Sequence, residues 1–315
     1  MENGEISSRA WSGPEDLRTI EAMISAAWNG PSRPRINATV GDLEWWIASL
    51  GPDADLAPRI RLWFLHGSVA GWGWLSPRAE LHWMVADGLP GADEARIRDS
   101  ILAWNAERAP AMDTPDGPPA QLAVSGADGW SESAHLVARG WTPTDEVFTQ
   151  YHQRLDLDLD PPRVPEGYVL RTLRGPEDIP RRVDVHRAAF APSRMTTAKY
   201  ELLARQPHYA FERDIVVEAP DGSFAAFAMG WMDPVARVGE FEPVGVHPDH
   251  QRRGLGRVVM RHGLRLMRAA GMLDAIVFSL RTNAASEALY RSAGFDELAL
   301  HRRYTMALPA AQPIP

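Results

Sequence analysis

The chain has 315 residues, 45% of them hydrophobic and 23% charged, with no cysteine and a formal net charge of −8. That composition excludes disorder, collagen-like repeats and a coiled coil, and the lack of thiols excludes disulfides, thiolate metal sites, iron–sulfur clusters and an acyl-cysteine intermediate. The length exceeds what one core usually serves, so two domains are expected; with no apolar run of 18 residues and no basic start leading into an apolar stretch, a soluble, unexported, cytoplasmic protein away from membranes is expected.

Along the chain, two segments recur. Arg9-Ala-Trp-Ser-Gly-Pro-Glu-Asp16 opens a helical pattern ending at Ala26-Ala-Trp28, and Arg171-Thr-Leu-Arg-Gly-Pro-Glu-Asp178 opens one ending at Ala188-Ala-Phe190. Ala134-His-Leu-Val-Ala-Arg-Gly-Trp141 likewise corresponds to Ala288-Leu-Tyr-Arg-Ser-Ala-Gly-Phe295, and Tyr151 to Tyr304. A period this long reads as a duplicated domain. The proline cluster in Asp156–Pro165 reads as a linker, which gives domains over 1–155 and 166–315 with 156–165 between them. Up to Leu155 there are 12 basic and 21 acidic residues, and after it 21 and 20, so the front half carries about −9 and the back half about +1. That balance makes nucleic acid an improbable partner; an acidic cleft would favour a cationic small molecule.

In the back half the pattern predicts a strand at Tyr168–Leu173, a helix over Pro176–Phe190, and strands Ile215–Glu218 and Ala225–Trp231 joined at Pro220-Asp-Gly222. A long strand, Gly239–Val246, leads through Pro248-Asp-His-Gln-Arg-Arg-Gly-Leu-Gly256 into a helix with apolar positions at i, i+3, i+4 and Gly271 as its C′ residue. A strand Ala275–Leu280, a helix from Asn283 to Gly294 and a strand through Leu298–Leu308 complete an interleaved α/β order.

The loop Gln251-Arg-Arg-Gly-Leu-Gly256 sets glycines and guanidinium groups at a helix N-terminus. Unpaired N–H groups and the helix dipole favour negative charge there, Gly254 and Gly256 let the backbone approach a ligand, and Arg252, Arg253 and Arg257 supply charge-assisted bonds, a combination suited to polyphosphate. No GxxxxGK[ST] occurs, so a P-loop is excluded, and Val259 stands where a dinucleotide fingerprint needs its third glycine. His247 and His250 lack an evident third metal ligand, so no metal is expected. A solvated, arginine-rich helix start is the remaining structural reading of the loop.

Two motifs in order, Val244-Gly-Val-His-Pro-Asp-His-Gln-Arg-Arg-Gly-Leu-Gly256 and Asn283-x6-Tyr290-x3-Gly294-Phe295, resemble the GNAT superfamily of acyl-CoA-dependent N-acyltransferases over roughly residues 166–308. The resemblance implies two tandem GNAT-like domains, each a mixed, mostly antiparallel twisted sheet flanked by helices, with a splayed strand pair admitting acetyl-CoA in the second. Pro243 fits such a splay independently, as a proline inside a strand marks an edge or bulge. By resemblance, Val244, Gly245 and Val246 hold the acyl-pantetheine, Gln251, Arg252, Arg253, Gly254, Leu255, Gly256 and Arg257 take the phosphates, and Asn283 and Ser286 contact the cofactor from the last helix.

Attack of an amine on a thioester needs a base, an oxyanion donor and an acid. Glu240 and Glu242 are two apart, hence expected on one face together with Val244 and Val246. The resemblance places its glutamate base at Glu240, with Glu242 second, and its tyrosine acid at Tyr290. In the front half the corresponding loop, Val85-Ala-Asp-Gly-Leu-Pro-Gly-Ala-Asp-Glu94, puts Asp93 and Glu94 where phosphate would sit, and Leu136 stands opposite Tyr290, so that half is expected to be degenerate. The function expected is direct acetyl transfer from acetyl-CoA to a primary amine of a small molecule, by a monomer whose halves mimic a dimer. From another class, a non-catalytic acyl-CoA sensor is the alternative, which the presence of Glu240, Glu242 and Tyr290 argues against.

Overall fold

The computed structural model describes residues 5–31, 33, 36 and 38–308. They form two compact units, one of the described residues within 5–38, 55–148 and 299–308, the other of segments 39–54 and 149–298. The units therefore do not part at the proline cluster 156–165, which lies within the second. Residues 39–54 leave the front half for the second unit, and the C-terminal strand returns to the first.

The chain begins with β1 (Ile6–Ala10) and α1 (Pro14–Trp28), then passes through α2 (Val40–Leu50), which belongs to the second unit. The antiparallel run β2 (Ile60–Leu65), β3 (Ser68–Leu75) and β4 (Glu80–Val85) follows, then α3 (Gly91–Arg108), β5 (Gln121–Ala127), α4 (Ser131–Ala138) and β6 (Thr142–Arg154). In the first unit β4 and β5 pair in parallel at Glu80↔Ala123 and Leu81↔Val124. Just beyond, Trp83 Nε1 donates to the Ser125 carbonyl at 3.0 Å and bridges the two strands. Asp93 and Glu94, in the first turn of α3, are paired with Arg96 and Arg98 of the same helix.

The second unit contains β7 (Val169–Thr172), a 3₁₀ turn at Pro176–Asp178 leading into α5 (Ile179–Ala189), α6 (Thr197–Leu203), β8 (Asp214–Glu218), β9 (Phe224–Asp233), β10 (Val238–Val246), α7 (Leu255–Ala269), β11 (Asp274–Leu280) and α8 (Ala284–Ala293). β12 (Asp296–Ala307) ends against β5, from His301↔Ala127 to Ala307↔Gln121. Within the second unit the strand order is β6-β11-β10-β9-β8-β7. β9 is buried along its whole length because both faces of the sheet are covered. On one face Val258, Val259, Leu264 and Met267 of α7 and Tyr290 of α8 pack with Ala226, Ala228 and Phe241. On the other, Ala48 of α2, Ile179 and Val183 of α5 and Tyr200 of α6 pack with Met229 and Trp231. α2 sits close to the sheet: a Cβ at Gly41 would lie 2.2 Å from the Trp231 ring.

The helix ends follow local chemistry. Thr39 and Asp42 form a reciprocal capping box at α2, Asn283 caps α8 through its side chain, and Gly271 and Gly294 are left-handed after α7 and α8. α6, seven residues long and capped by Thr196, has no counterpart in the sequence reading. Among the described residues no helix is long and apolar enough to cross a membrane.

Candidate active site

β10 is the strand that organises the site. It runs parallel to β11 from Val238↔Asp274 to Glu240↔Ile276, where that ladder stops although both strands continue, to Val246 and Leu280. Its antiparallel pairing with β9 shifts between Phe241↔Gly230 and Val244↔Ala228, so that Glu242 and Pro243 together oppose a single β9 residue. This is a β-bulge, and it corrects the sequence expectation for the strand. Paired residues share a face, so Glu240, opposite Trp231, lies on the α2 side, while Val244 and Val246, opposite Ala228 and Ala226, lie on the α7–α8 side with Phe241. Glu240 therefore does not share its face with the valines; the inserted residue reverses the alternation between them. Gly245 takes the α2 side, where a Cβ would lie 2.4 Å from Phe227.

Beyond β10 the chain makes a short turn, with His247 Nδ1 accepting from the Asp249 N–H at 3.3 Å and His250 Nδ1 bonded to Tyr168 Oη at 2.9 Å. Gln251 through Gly254 are exposed. Arg252 (φ 60°) and Gly254 (φ 78°) are both left-handed, and Gly254 caps α7. The first N–H groups of α7 have no partner within the helix. Among the described residues Arg252, Arg253 and Arg257 have no carboxylate partner, unlike Arg96 and Arg98 of the first unit. Leu255 and Gly256 are buried, and a Cβ at Gly256 would meet Leu289 of α8 at 3.1 Å. The loop thus presents bare backbone donors and, among the described residues, three guanidinium groups without a carboxylate partner at a helix N-terminus, an arrangement that favours negative charge.

The two glutamates have different surroundings. Glu240 is 2% exposed and accepts a hydrogen bond from the Thr39 hydroxyl; burial first, then the neighbouring charges of Asp42 and Glu242, hold its carboxyl far above the usual range. Asp42, also buried, is pushed up to about 7 by burial, with the hydrogen bond from the Thr39 N–H opposing. Glu242 keeps some surface open although its carboxyl is closely surrounded, and burial with the charge of Asp42 pushes it up to about 8. Tyr290, 6% exposed, stands edge-on to Tyr151 at a centroid distance of 5.5 Å. Burial first, then the charge of Glu242, raise its phenol. Asn283 is exposed, and its Oδ1 accepts from the Ser286 N–H at 3.1 Å, so that oxygen caps α8 and only the amide nitrogen is left for a ligand.

The open end of the β10–β11 ladder, the anion loop and Tyr290 are thus brought onto one side of the sheet, with Glu240 on the other. The sequence reading missed Thr39 and Asp42. Thr39-x-x-Asp42 carries a helix-start signature, but nothing local indicates that it meets a strand 201 residues away.

Comparison with known proteins bears on this geometry. The profile of the acetyltransferase (GNAT) family matches residues 182–295. A mycothiol acetyltransferase of Tsukamurella paurometabola is 31% identical over 248 residues, covering 69% of this chain and 78% of that protein. The chain belongs to the GNAT family. Another mycothiol acetyltransferase, from Streptomyces coelicolor, is 29% identical over 175 residues, covering 53% of this GNAT chain and 57% of its own. This GNAT chain spans about half the length of several such relatives. Among solved structures, a GCN5-related N-acetyltransferase from Sphaerobacter thermophilus aligns over 98% of both chains at a TM-score of 0.66 and 16% identity. A tandem GNAT protein from the clavulanic acid biosynthesis pathway aligns over 98% of this GNAT chain and 100% of its own at 0.65 and 15%. At such identities the likeness is one of fold, and the fold it gives is the tandem GNAT type, mixed α/β with mostly antiparallel strands.

Proposed function

We propose that the protein transfers an acetyl group from acetyl-CoA directly to a primary amine of a small-molecule acceptor, with β10, α7 and α8 of the second unit forming the working site. The observation that carries this reading is the β10–β11 ladder ending at Glu240. Unpaired strand edges along Val244–Val246 leave backbone groups for the pantetheine amides, and they lead straight into the loop whose free arginines and helix N-terminus suit the pyrophosphate. In the reaction the amine nitrogen bonds to the thioester carbon, the carbon–sulfur bond breaks, the amine proton goes to Glu240 and the departing thiolate takes one from Tyr290. The backbone N–H near Val246 serves as oxyanion donor. Raised proton affinity suits Glu240 to a base, and its burial calls for a water or Glu242 to relay the proton.

The relatives' name makes the cysteinyl amine of the mycothiol pseudodisaccharide the first acceptor to try. A calorimetric titration with acetyl-CoA tests the binding step: one site per chain is expected. Two sites would give the Asp93–Glu94 loop a cofactor role, and none would remove the enzyme reading. Because the protein has no cysteine, a thiol-reactive dye reports CoA release with amines that lack a thiol; for the cysteinyl amine the acetylated product is read by mass. Binding without release across an amine panel favours the sensor.

A further inference from the structure

The transfer just proposed requires a carboxyl whose ionisation is controlled, and the inference that follows rests on that reading. Thr39 closes α2 by accepting from the Asp42 N–H at 3.0 Å while its own N–H donates to Asp42 Oδ2 at 3.0 Å. Capping needs nothing more. The same hydroxyl nevertheless donates to Glu240, so the two buried carboxyls, of Asp42 and of Glu240, are both held on one threonine. Two carboxyls held this close in a buried site disfavour each other's ionised form.

We propose that Asp42 is a positioning residue for acetyl transfer: through Thr39 it holds the Glu240 carboxyl in place, and its own charge governs when that carboxyl is ionised. The other charged groups around Glu240 have partners of their own. On α2, Glu44 accepts from the His208 backbone and ring; on α5, Arg182 is bonded to Asp214 and His186 to Ser193. On β9, Asp233 accepts from the N–H groups of Val235 and Ala236, and on β11, Asp274 is paired with His152. Asp42 and Glu242 are left as the charges acting on Glu240, and Tyr290 is reached by Glu242. Asp42 thereby keeps Glu240 a strong proton acceptor, since a second negative charge alongside disfavours its ionised form.

The test is an infrared pH titration of the full chain without ligand. Above about pH 6 exposed carboxyls are ionised, so the protonated C=O band that remains reports buried carboxyls, with Glu240 the last to ionise and Glu242 lost near pH 8. In Asp42→Asn the midpoint at which this band disappears is expected to fall by about one pH unit or more, with acetyl-CoA affinity kept within about twofold and Asp42→Glu restoring the midpoint. With an active amine, the acidic limb of kcat should move down with it. An unchanged midpoint in Asp42→Asn, or a change confined to KM for the amine, overturns the proposal. Should that variant fail to fold, Glu240→Gln decides: the part of the band that persists to the highest pH is expected to disappear, leaving the part that Glu242 contributes, and a wild-type titration overturns the proposal. The infrared result needs no turnover, so failure of acetyl transfer itself is read separately.

Discussion

Glu242 is the carboxylate whose charge acts on the Tyr290 phenol, whereas Glu240, two residues earlier on the same strand, accepts a hydrogen bond from Thr39, the capping partner of Asp42. The bulge at Glu242-Pro243 separates the two roles. Glu240→Gln is expected to lower kcat about 10²-fold or more at neutral pH, the size of a general-base contribution, with acetyl-CoA affinity kept. Glu242→Gln removes the charge that raises Tyr290, so its alkaline limb should move to lower pH while the plateau falls less. Full turnover in Glu240→Gln with a large loss in Glu242→Gln would reassign the base to Glu242.

The anion loop depends on backbone shape as much as on charge. Gly254 is left-handed at φ 78° with open space around it, so a side chain there meets no neighbour but strains the backbone by about 1–2 kcal/mol. Arg253→Ala combined with Gly254→Val is expected to weaken acetyl-CoA binding at least about a hundredfold, through loss of a charge-assisted bond and of the donor geometry. Calorimetry reads the affinity, and a thermal melt within a few degrees of wild type would show the fold intact. Wild-type affinity would place the pyrophosphate elsewhere.

How much of this was legible in the sequence depends on the range of the interaction involved. The start of α7 at Gly254, its end before Gly271, and the Asn283 cap and Gly294 stop of α8 follow from residues within one turn of each boundary, and the structure has them where the sequence puts them. Pro243 signalled an irregular strand, yet the face of Val244 was read by counting in twos, which fails once a residue is inserted. The proline cluster at 156–165 resembles a linker locally. What sorts the chain into units is the pairing of β12 with β5 and the packing of α2 on Trp231, contacts between residues far apart in sequence. Thr39 and Asp42 were missed for the same reason.

Close packing of α7 on the sheet supplies a stability test. A Cβ at Gly263 would lie 2.3 Å from Phe241 Cε1 and 2.9 Å from Ile215 Cδ1, and Phe241 is almost fully buried. Gly263→Ala should therefore cost about 1–3 kcal/mol in denaturant unfolding, the usual penalty of overpacking, despite alanine's better helix propensity. Adding Phe241→Leu should recover part of the loss, because the two positions share one contact. A Gly263→Ala protein as stable as wild type would contradict this approach of α7 to β10.

The final prediction concerns stability against pH, where two buried groups act with opposite sign. His186, set among Trp45, Phe190 and Phe227, is pushed down to about 3 by burial and then by Arg182. Its folded-state value lies below the unfolded value of about 6.5, so its contribution is fully present above that pH and is lost as pH falls toward 3. Glu242, pushed up to about 8, lies above its unfolded value of about 4.3; its contribution is present below that value and is lost as pH rises through 8. Thermal midpoints measured from pH 4 to 9 should therefore fall toward both ends. His186→Phe should lessen the fall on the acid side, where His82 and His301, each pushed down to about 4 by burial, also act, and Glu242→Gln should lessen the fall on the alkaline side, where Asp42, pushed up to about 7, also acts, each leaving the other limb in place. A wild-type acid limb in His186→Phe would mean that His82 and His301, or carboxylate ion pairs such as Asp178 with Arg171 and Arg181, govern acid unfolding instead.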